Sequence, residues 1–327
     1  DTMVLEISRG CIFKCKFCSY PLNGKKKLDY LKDLKVLREE LLDNYNRWGI
    51  TNYIFSDDTF NDSNLKLYLI AYMLSSLPFR INFTAYLRLD LINRYPEQIA
   101  LLKRMGLKAA FFGVESFNYE SAKLVGKRLN PARAKELLEE LKEKHWKNDV
   151  LITVGLICGL PYDTKQNVEE TIEWIKTTKV DSIRVEPLGI MSDVRRIWLS
   201  EFDRNYDKYG YKVEPGTFNW TNDKYEIKSF REALRLANQM NKAAEEIYKD
   251  IRNTNFSVVM MPNLLYHTSI DKTLHNLVAL TPWQRIKIKE SITKDGVTNK
   301  LVMDYKMRLQ QICQREAEKK LSKILNK

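Results

Sequence analysis

Three cysteines near the start of the chain, Cys11, Cys15 and Cys18, are spaced as C-x3-C-x2-C. Thiolates bind soft metals and iron–sulfur clusters, and three of them can hold three irons of a cubane cluster while the fourth iron stays open. Most electron-transfer clusters close every iron with cysteine, so an open iron indicates a cluster that binds a substrate or a cofactor.

Zinc is the competing interpretation, because a tetrahedral zinc site needs a fourth ligand. That ligand would have to come from Cys158, Cys313 or one of three histidines, and none of these is near the loop in sequence. No second C-x2-C occurs in the chain, which favours the iron–sulfur cluster. A disulfide framework would spread and pair its cysteines, and Cys158 and Cys313 are most simply buried, inert thiols.

Short apolar strands alternate with amphipathic helices up to Gly189. The predicted strands cover residues 4–7, 53–55, 80–86, 108–114, 150–157 and 182–186. The predicted helices cover residues 34–45, 64–76, 97–105, 130–145 and 165–178. Because such alternation gives a parallel sheet with right-handed crossovers, we predict an α/β fold, an open parallel (β/α)6 partial TIM barrel over residues 1–190.

Beyond Gly189 the pattern changes, and a mainly helical C-terminal extension is predicted over residues 191–327. Residues 206–220 have the composition of a loop, whereas 223–253 and 303–325 have the periodicity of long helices. Residues 281–327 hold twelve Lys or Arg against five Asp or Glu. This excess favours a solvated helix packed on the barrel and leaves a polyanion as the alternative partner.

Acidic residues stand at the ends of two predicted strands: Asp57 and Asp58 follow the second, and Glu115 closes the fourth. Active sites of parallel barrels lie at the carboxyl ends of the strands. The cysteine loop follows the first strand, so the sequence predicts that these residues share one edge of the barrel.

The cysteine loop resembles the signature of the radical S-adenosylmethionine (SAM) superfamily, including the aromatic Phe17 before the third cysteine. Four phrases at strand ends carry the resemblance in family order: Ser8–Cys11, Phe55–Phe60, Gly113–Ser116 and Gly155–Pro161. They are similar to the branch that contains cobalamin-associated enzymes and methylthiotransferases. The resemblance implies a [4Fe–4S] cluster on the three cysteines, with SAM bound at the open iron. An electron from the cluster would cleave SAM to a 5′-deoxyadenosyl radical for hydrogen abstraction or radical methylation.

The resemblance also implies contacts to the amino acid part of SAM. Ser56, Asp57 and Asp58 stand where the family binds the amino group, although the usual glycines are absent here. Main-chain carbonyls or a helix-capping role are the alternatives for these residues. Arg88 matches the SAM carboxylate by its fork of donors, and an ion pair with Asp90 or Glu115 is its alternative.

Further contacts are implied for the ribose and the adenine. Glu115, followed by Ser116, stands at the ribose position, with a salt bridge at the barrel rim as the alternative. Phe17 and the Gly155-Leu156 segment would lie against the adenine, because small residues let the backbone approach a flat ring. A tight turn explains the Gly and Pro of that segment equally well.

The net charge of +12 favours acidic partners. We expect a flavodoxin or ferredoxin as electron donor, docked on Lys14, Lys16 and Lys25–Lys27, and an anionic substrate, either nucleic acid or a phosphorylated molecule. Cobalamin is expected only if a domain upstream of Asp1 belongs to the protein. Without a signal peptide or an apolar run that spans a bilayer, a cytoplasmic location with no membrane partner is predicted. The alternative function is a non-catalytic metal or iron–sulfur scaffold that binds nucleic acid.

Overall fold

Six parallel strands form the centre of the computed structural model, which describes residues 2–247 except 21, 26–27, 128 and 193–197. The strands are β1 (Thr2–Glu6), β2 (Asn52–Ser56), β3 (Asn82–Leu87), β4 (Leu107–Glu115), β5 (Leu151–Cys158) and β6 (Ser182–Pro187). They pair in sequence order from β1 to β6. The predicted open (β/α)6 barrel is therefore confirmed, with each strand within two residues of its predicted position.

Helices connect the strands in the predicted order. They are α1 (Leu34–Trp48), α2 (Asn64–Ser75), α3 (Leu89–Arg94), α4 (Glu97–Met105), α5 (Tyr119–Val125), α6 (Pro131–Glu140) and α7 (Lys165–Thr177). A π-helical turn, Leu141–Trp146, continues α6. The short helices α3 and α5 were not predicted, because two turns are too few to show a helical period.

Side-chain caps explain where several helices begin. The Asp33 carboxylate accepts from two main-chain N–H groups at the start of α1, and Asn130 caps α6 with Pro131 in its first turn. Thr164 caps α7 in the same way. These caps satisfy N–H groups that have no partner within the helix, so each crossover begins at a defined residue.

The segment after β6 departs from the prediction. It contains α8 (Glu201–Arg204), an antiparallel hairpin of β7 (Tyr211–Val213) and β8 (Trp220–Asn222), and α9 (Phe230–Ile247). The loop predicted over 206–220 is therefore wrong in part, because Tyr211 and Trp220 are both 2% exposed and pack edge to face. The helix predicted from Asp223 begins at Phe230, since the Asn222 side chain accepts from the N–H groups of Lys224 and Tyr225 and holds a turn there.

Helix α9 covers the edge of the sheet at β6. The Asn241 amide accepts from the main-chain N–H of Val185 at 2.9 Å and donates to its carbonyl at 2.8 Å. Two main-chain groups of the edge strand thereby gain the kind of bond that a seventh strand would supply. The domain boundary at residue 190 stays a prediction, and the predicted helix over 303–325, with Cys313, lies outside the described residues. Among the helices that the structure describes, none is long and apolar enough to cross a membrane.

Gly106 joins α4 directly to β4 with a φ of 104°, and a Cβ there would lie 2.1 Å from the main-chain oxygen of Ile81. Gly49 ends α1 with a φ of 66° and has open space around it. We expect Gly106→Ala to lower the free energy of unfolding by about 3 kcal/mol and Gly49→Ala by about 1 kcal/mol, because both incur backbone strain but only the first also clashes. Urea denaturation measures both. Equal losses of stability in the two variants would show that the chain at Ile81 shifts to remove the clash without lowering the free energy of unfolding.

Candidate active site

The cysteine loop leaves β1 and folds back on itself through main-chain hydrogen bonds. The N–H of Lys25 donates to the carbonyl of Cys11 and that of Gly24 to Phe13, both at 3.0 Å. Within the loop, the N–H of Cys18 donates to the carbonyl of Cys15, also at 3.0 Å. The loop is therefore a closed structure at the carboxyl end of the sheet, where the sequence places it.

Each of the three cysteine sulfurs has its own N–H donor. The pairs are Phe13 N with Cys11 Sγ, Arg88 Nη1 with Cys15 Sγ and Asn23 Nδ2 with Cys18 Sγ, each at 3.4 Å. Hydrogen bonds to sulfur stabilise the thiolate form and are a means by which proteins tune iron–sulfur clusters. The donors around this loop therefore suit thiolate ligands.

A cluster requires thiolate ligands. Burial raises the pKa of the Cys11 and Cys18 thiols, so bound iron would have to supply the charge that makes them thiolates. Across residues 2–247, apart from the gaps, no three Cys, His, Asp or Glu side chains already converge as a metal site. The loop fits a cluster by the type of its ligands and by the N–H donors at its sulfurs.

A buried ionic group lies behind the loop that follows β2. Lys66 of α2 has no exposed side-chain surface, and its Nζ lies 2.8 Å from Asp57 Oδ2, 3.1 Å from Asp62 Oδ1 and 3.0 Å from the Thr59 carbonyl. The Tyr30 hydroxyl donates to the other oxygen of Asp62 at 2.6 Å. Because the Thr59 hydroxyl also lies 3.4 Å from Cys11 Sγ, this group supports the cysteine loop.

Sequence reasoning missed Lys66, although a signal was present. It is the one charged residue of α2, whose other positions are mostly apolar. A single cation in an apolar helix is buried only when it is paired, and three aspartates precede it within nine residues. That combination indicates a buried ion pair.

The three residues predicted for the amino group of SAM differ in accessibility. Ser56 is exposed at the end of β2, and Asp58 is partly exposed. Asp57 is turned inward to Lys66 and has no exposed side-chain surface. Burial and the neighbouring Asp57 charge raise the pKa of Asp58, while a hydrogen bond from the Gly10 N–H opposes that rise. Of the three predicted residues, the accessible ones are therefore Ser56 and Asp58.

Arg88 precedes α3 and is 3% exposed. Its Nε and Nη2 donate to the carboxylate of Asp90 at 2.9 and 2.7 Å, and Nη2 also donates to the carbonyl of Gly126 at 2.8 Å. The guanidinium carbon lies 3.8 Å from the centre of the Phe13 ring. Of the alternatives that the sequence left open for Arg88, the structure contains the ion pair with Asp90, together with the contact to Cys15.

Glu115 lies at a bulge in β4 and has a φ of 70°, a left-handed conformation that is strained for a glutamate. Its carboxylate folds over Gly113 and lies 3.4 Å from Lys127 Nζ, which also donates to the Gly113 carbonyl at 2.7 Å. Burial raises the pKa of Glu115 although the Lys127 charge opposes the rise. The salt bridge at the barrel rim is therefore present in this structure.

The remaining predicted residues lie at the ends of β4 and β5. A Cβ on Gly155 would meet the Phe111 ring at 2.6 Å, so that ring uses the space above the glycine. Leu156 is 5% exposed, and Phe17 packs against the core. The Ser116 hydroxyl donates to Asp163 at 3.3 Å.

Asp163 explains the tight turn after β5, which was the alternative for the Gly155–Pro161 segment. One oxygen of its carboxylate accepts from the N–H groups of Gly159 and Leu160, both at 3.0 Å. Burial raises the pKa of Asp163 to about 6 despite these donors. The glycine and proline of the segment therefore have a structural role in this turn.

A cavity of about 590 Å³ opens beside the cysteine loop. Cys15 and Cys18 line it on one side, and Trp198, Glu201 and Arg204 line it on the other. Its volume is within the range of small-molecule sites. One group of predicted residues contains the loop cysteines, Asp58 and Arg88. Glu115 belongs to a second group, and the charge of Arg88 acts on its carboxyl.

The sequence profile of the radical SAM superfamily matches residues 5–175, just over half of the chain. This chain belongs to the radical SAM superfamily, as the cysteine loop and the partial barrel predicted. The cofactors of that superfamily are a [4Fe–4S] cluster and SAM.

Individual relatives match the same region. An uncharacterized methyltransferase of Pyrococcus horikoshii is 28% identical over 179 residues, which are 54% of this chain and 37% of that protein. The anaerobic magnesium-protoporphyrin IX monomethyl ester cyclase of Cereibacter sphaeroides is 26% identical over 169 residues, which are 51% of this chain and 26% of that protein. The chain thus spans less than half the length of these curated relatives.

Among solved structures, the radical SAM methyltransferase TsrM from Kitasatospora setae, with cobalamin and a [4Fe–4S] cluster bound, has a TM-score of 0.50 to this chain. The two are 17% identical, and the match covers 66% of this chain and 38% of TsrM. At this identity the likeness concerns the fold, which it confirms as the partial barrel of radical SAM enzymes.

Proposed function

We propose that this chain cleaves SAM reductively, with a [4Fe–4S] cluster held by Cys11, Cys15 and Cys18, and that the resulting 5′-deoxyadenosyl radical abstracts hydrogen from a substrate or supports its methylation. When bound, the cluster supplies the electron that breaks a carbon–sulfur bond of SAM. The observation that carries the proposal is the closed loop at the end of β1, in which every cysteine sulfur has an N–H donor.

The residues after β2 and β3 would hold the amino acid part of SAM. The Asp58 carboxylate and the main chain of Ser56–Asp58 accept hydrogen bonds from its ammonium, while Asp57 keeps the turn in place through Lys66. Arg88 Nη1 carries two N–H groups, so one can meet the SAM carboxylate while the other stays on Cys15.

The ends of β4 and β5 would hold the nucleoside part. Glu115 accepts from the ribose hydroxyls beside Ser116, and Lys127 lies 3.4 Å from its carboxylate. Phe17 and the Gly155-Leu156 segment border the adenine. Phe111 would have to move from Gly155 for the ring to approach the backbone there.

Anaerobic reconstitution with iron and sulfide, followed by dithionite and SAM, tests the proposal. The expected result is 5′-deoxyadenosine, measured by liquid chromatography, in amounts that depend on reductant and on cluster content. Iron bound without any SAM cleavage would overturn the proposal and favour the non-catalytic scaffold. Zinc bound in place of iron would do the same.

Radical methylation of an anionic substrate, nucleic acid or a phosphorylated molecule, is the finer form of the proposal. It is supported by the Pyrococcus relative, which is named a methyltransferase, and by the net charge of +12. TsrM is described with cobalamin bound, so cobalamin is included if the full-length protein carries a domain for it. A cytoplasmic location, where thiols stay reduced, belongs to the same proposal.

A flavodoxin or ferredoxin is the proposed electron donor. Lys14 is exposed and lines the cavity beside Cys15, and Lys16 lies over the Tyr209 ring at 5.3 Å; Lys26 and Lys27 of the predicted patch lie outside the described residues. We expect Lys14→Glu with Lys16→Glu to slow reduction by flavodoxin about tenfold at low salt, because steering of an acidic partner is lost. Stopped-flow absorbance measures the rate. Reduction by dithionite is the control, and an equal slowing with dithionite would contradict docking at these lysines.

A further inference from the structure

We propose that Arg88 raises the reduction potential of the cluster by donating a charge-assisted hydrogen bond to the sulfur of Cys15. Arg88 would thus act on the cluster through its ligand and not by direct contact. This inference rests on the proposed function, because it takes Cys15 as a cluster ligand. It assigns to Arg88 a role toward the protein's own sulfur, in addition to any contact with SAM.

The guanidinium is held in place on every side that the structure describes. Asp90 binds it through two nitrogens, the Gly126 carbonyl accepts from Nη2, and the Phe13 ring covers one face. Only Nη1 remains directed at Cys15 Sγ, at 3.4 Å.

The backbone of Arg88 is fixed as well. Its N–H donates to Asn61 Oδ1 at 2.8 Å, and its carbonyl accepts from Asn61 Nδ2 at 3.0 Å. Asn61 has no exposed surface, and its amide also donates to Gln98. A cation held at both its backbone and its head group cannot swing into solvent, so its charge stays beside Cys15.

The distribution of charge around the loop makes this cation consequential. On the Cys11 side, Thr59, whose hydroxyl lies 3.4 Å from the sulfur, binds Lys66 in a buried group that holds two carboxylates against one cation. On the Cys15 side, Arg88 Nη1 places an N–H donor and a positive charge 3.4 Å from the sulfur. Reduction adds one electron to a cluster, and donors and positive charge at the sulfurs raise its potential.

Arg88→Met removes the donor and the charge, and Arg88→Lys keeps the charge with fewer donors. We expect Arg88→Met to lower the ratio of reduced to oxidised cluster about tenfold at fixed potential, which is about 59 mV for one electron. Arg88→Lys should fall between Arg88→Met and wild type. Arg94→Met is the matched control, because Arg94 is an exposed cation of α3 that lies over Tyr95.

The measurement is a redox titration followed by electron paramagnetic resonance, without SAM, on protein whose iron and sulfide content has been determined. A lower potential in Arg88→Met, with an unchanged Arg94→Met, supports the inference. If Arg88→Met takes up no cluster, the potential of Arg88→Lys is compared with that of wild type instead, and a lower value supports the inference. A wild-type potential in cluster-loaded Arg88→Met overturns this inference and leaves the proposed function standing. The same holds for a wild-type potential in Arg88→Lys if Arg88→Met binds no cluster. Wild-type protein that binds no cluster overturns the proposed function and, with it, this inference.

Discussion

Cys15→Ala is expected to reduce 5′-deoxyadenosine formation to below detection, the largest functional effect of any single substitution proposed for this chain. Cys15 is the middle one of the three cysteines of the loop. Two remaining thiols cannot hold three irons of a cubane cluster. After reconstitution, the variant should lack both the absorption of the cluster in the visible range and the bound iron.

Cys158→Ala is the matched control for this prediction. Cys158 is 2% exposed at the end of β5, and burial raises the pKa of its thiol, so it behaves as a small apolar side chain. Cluster content and SAM cleavage should stay within about twofold of wild type in this variant, because Cys158 is buried at the end of β5 and is not one of the three loop cysteines. Equal loss of activity in both variants would point to a general effect on folding. A Cys15→Ala protein that still cleaves SAM would contradict the ligand assignment.

Lys66→Met is expected to have the largest effect on stability. The substitution leaves Asp57 and Asp62 buried without their cation, and breaking a buried ion pair in this way costs about 3–5 kcal/mol. Urea denaturation of the protein without cofactors at pH 7 measures the loss. Lys103→Met removes an exposed ion pair with Asp149 and should change the free energy of unfolding little.

The loss in Lys66→Met should also depend on pH in a defined direction. Burial already raises the pKa of Asp62 in the folded protein, and Lys66 opposes that rise. Without Lys66 the folded-state pKa rises further above the unfolded value. A carboxyl with a raised folded-state pKa contributes stability below its unfolded pKa and loses it as the pH rises through the folded pKa. The deficit relative to wild type should therefore grow from about pH 4 to pH 7.

A double variant separates charge from packing. Adding Asp62→Asn to Lys66→Met removes one of the two unpaired carboxylates, and part of the lost stability should return at pH 7. No recovery would show that the loss comes from the volume and shape of the Lys66 side chain. A deficit in Lys66→Met that does not vary with pH would lead to the same conclusion.

Local patterns were sufficient for the outline of the barrel. Alternating strands and helices placed every strand of the sheet within two residues, because hydrophobic period depends on neighbours a few positions away. The spacing of Cys11, Cys15 and Cys18 indicated the family for the same reason, since the ligands belong to one short loop. Where local signals were weak, as for α3, α5 and the hairpin of β7 and β8, the prediction missed the element.

The partners of the charged residues depended on contacts between distant parts of the chain. Arg88 reaches Cys15 across 73 positions, whereas its other partner, Asp90, is only two residues away. Lys66 is buried because the turn after β2 folds over α2. Tyr211 and Trp220 form a hairpin because each buries an aromatic ring against the other.

Ligand identity and strand order are thus encoded in residue type and short-range spacing, which the sequence displays directly. The partner of each buried charge depends on two free energies, that of the charge in water and that of the charge beside the groups that packing brings within about 3 Å. These groups come together only when the sheet has formed and β2, β3 and the cysteine loop are neighbours. The partners of the buried charges were therefore determined by the tertiary structure.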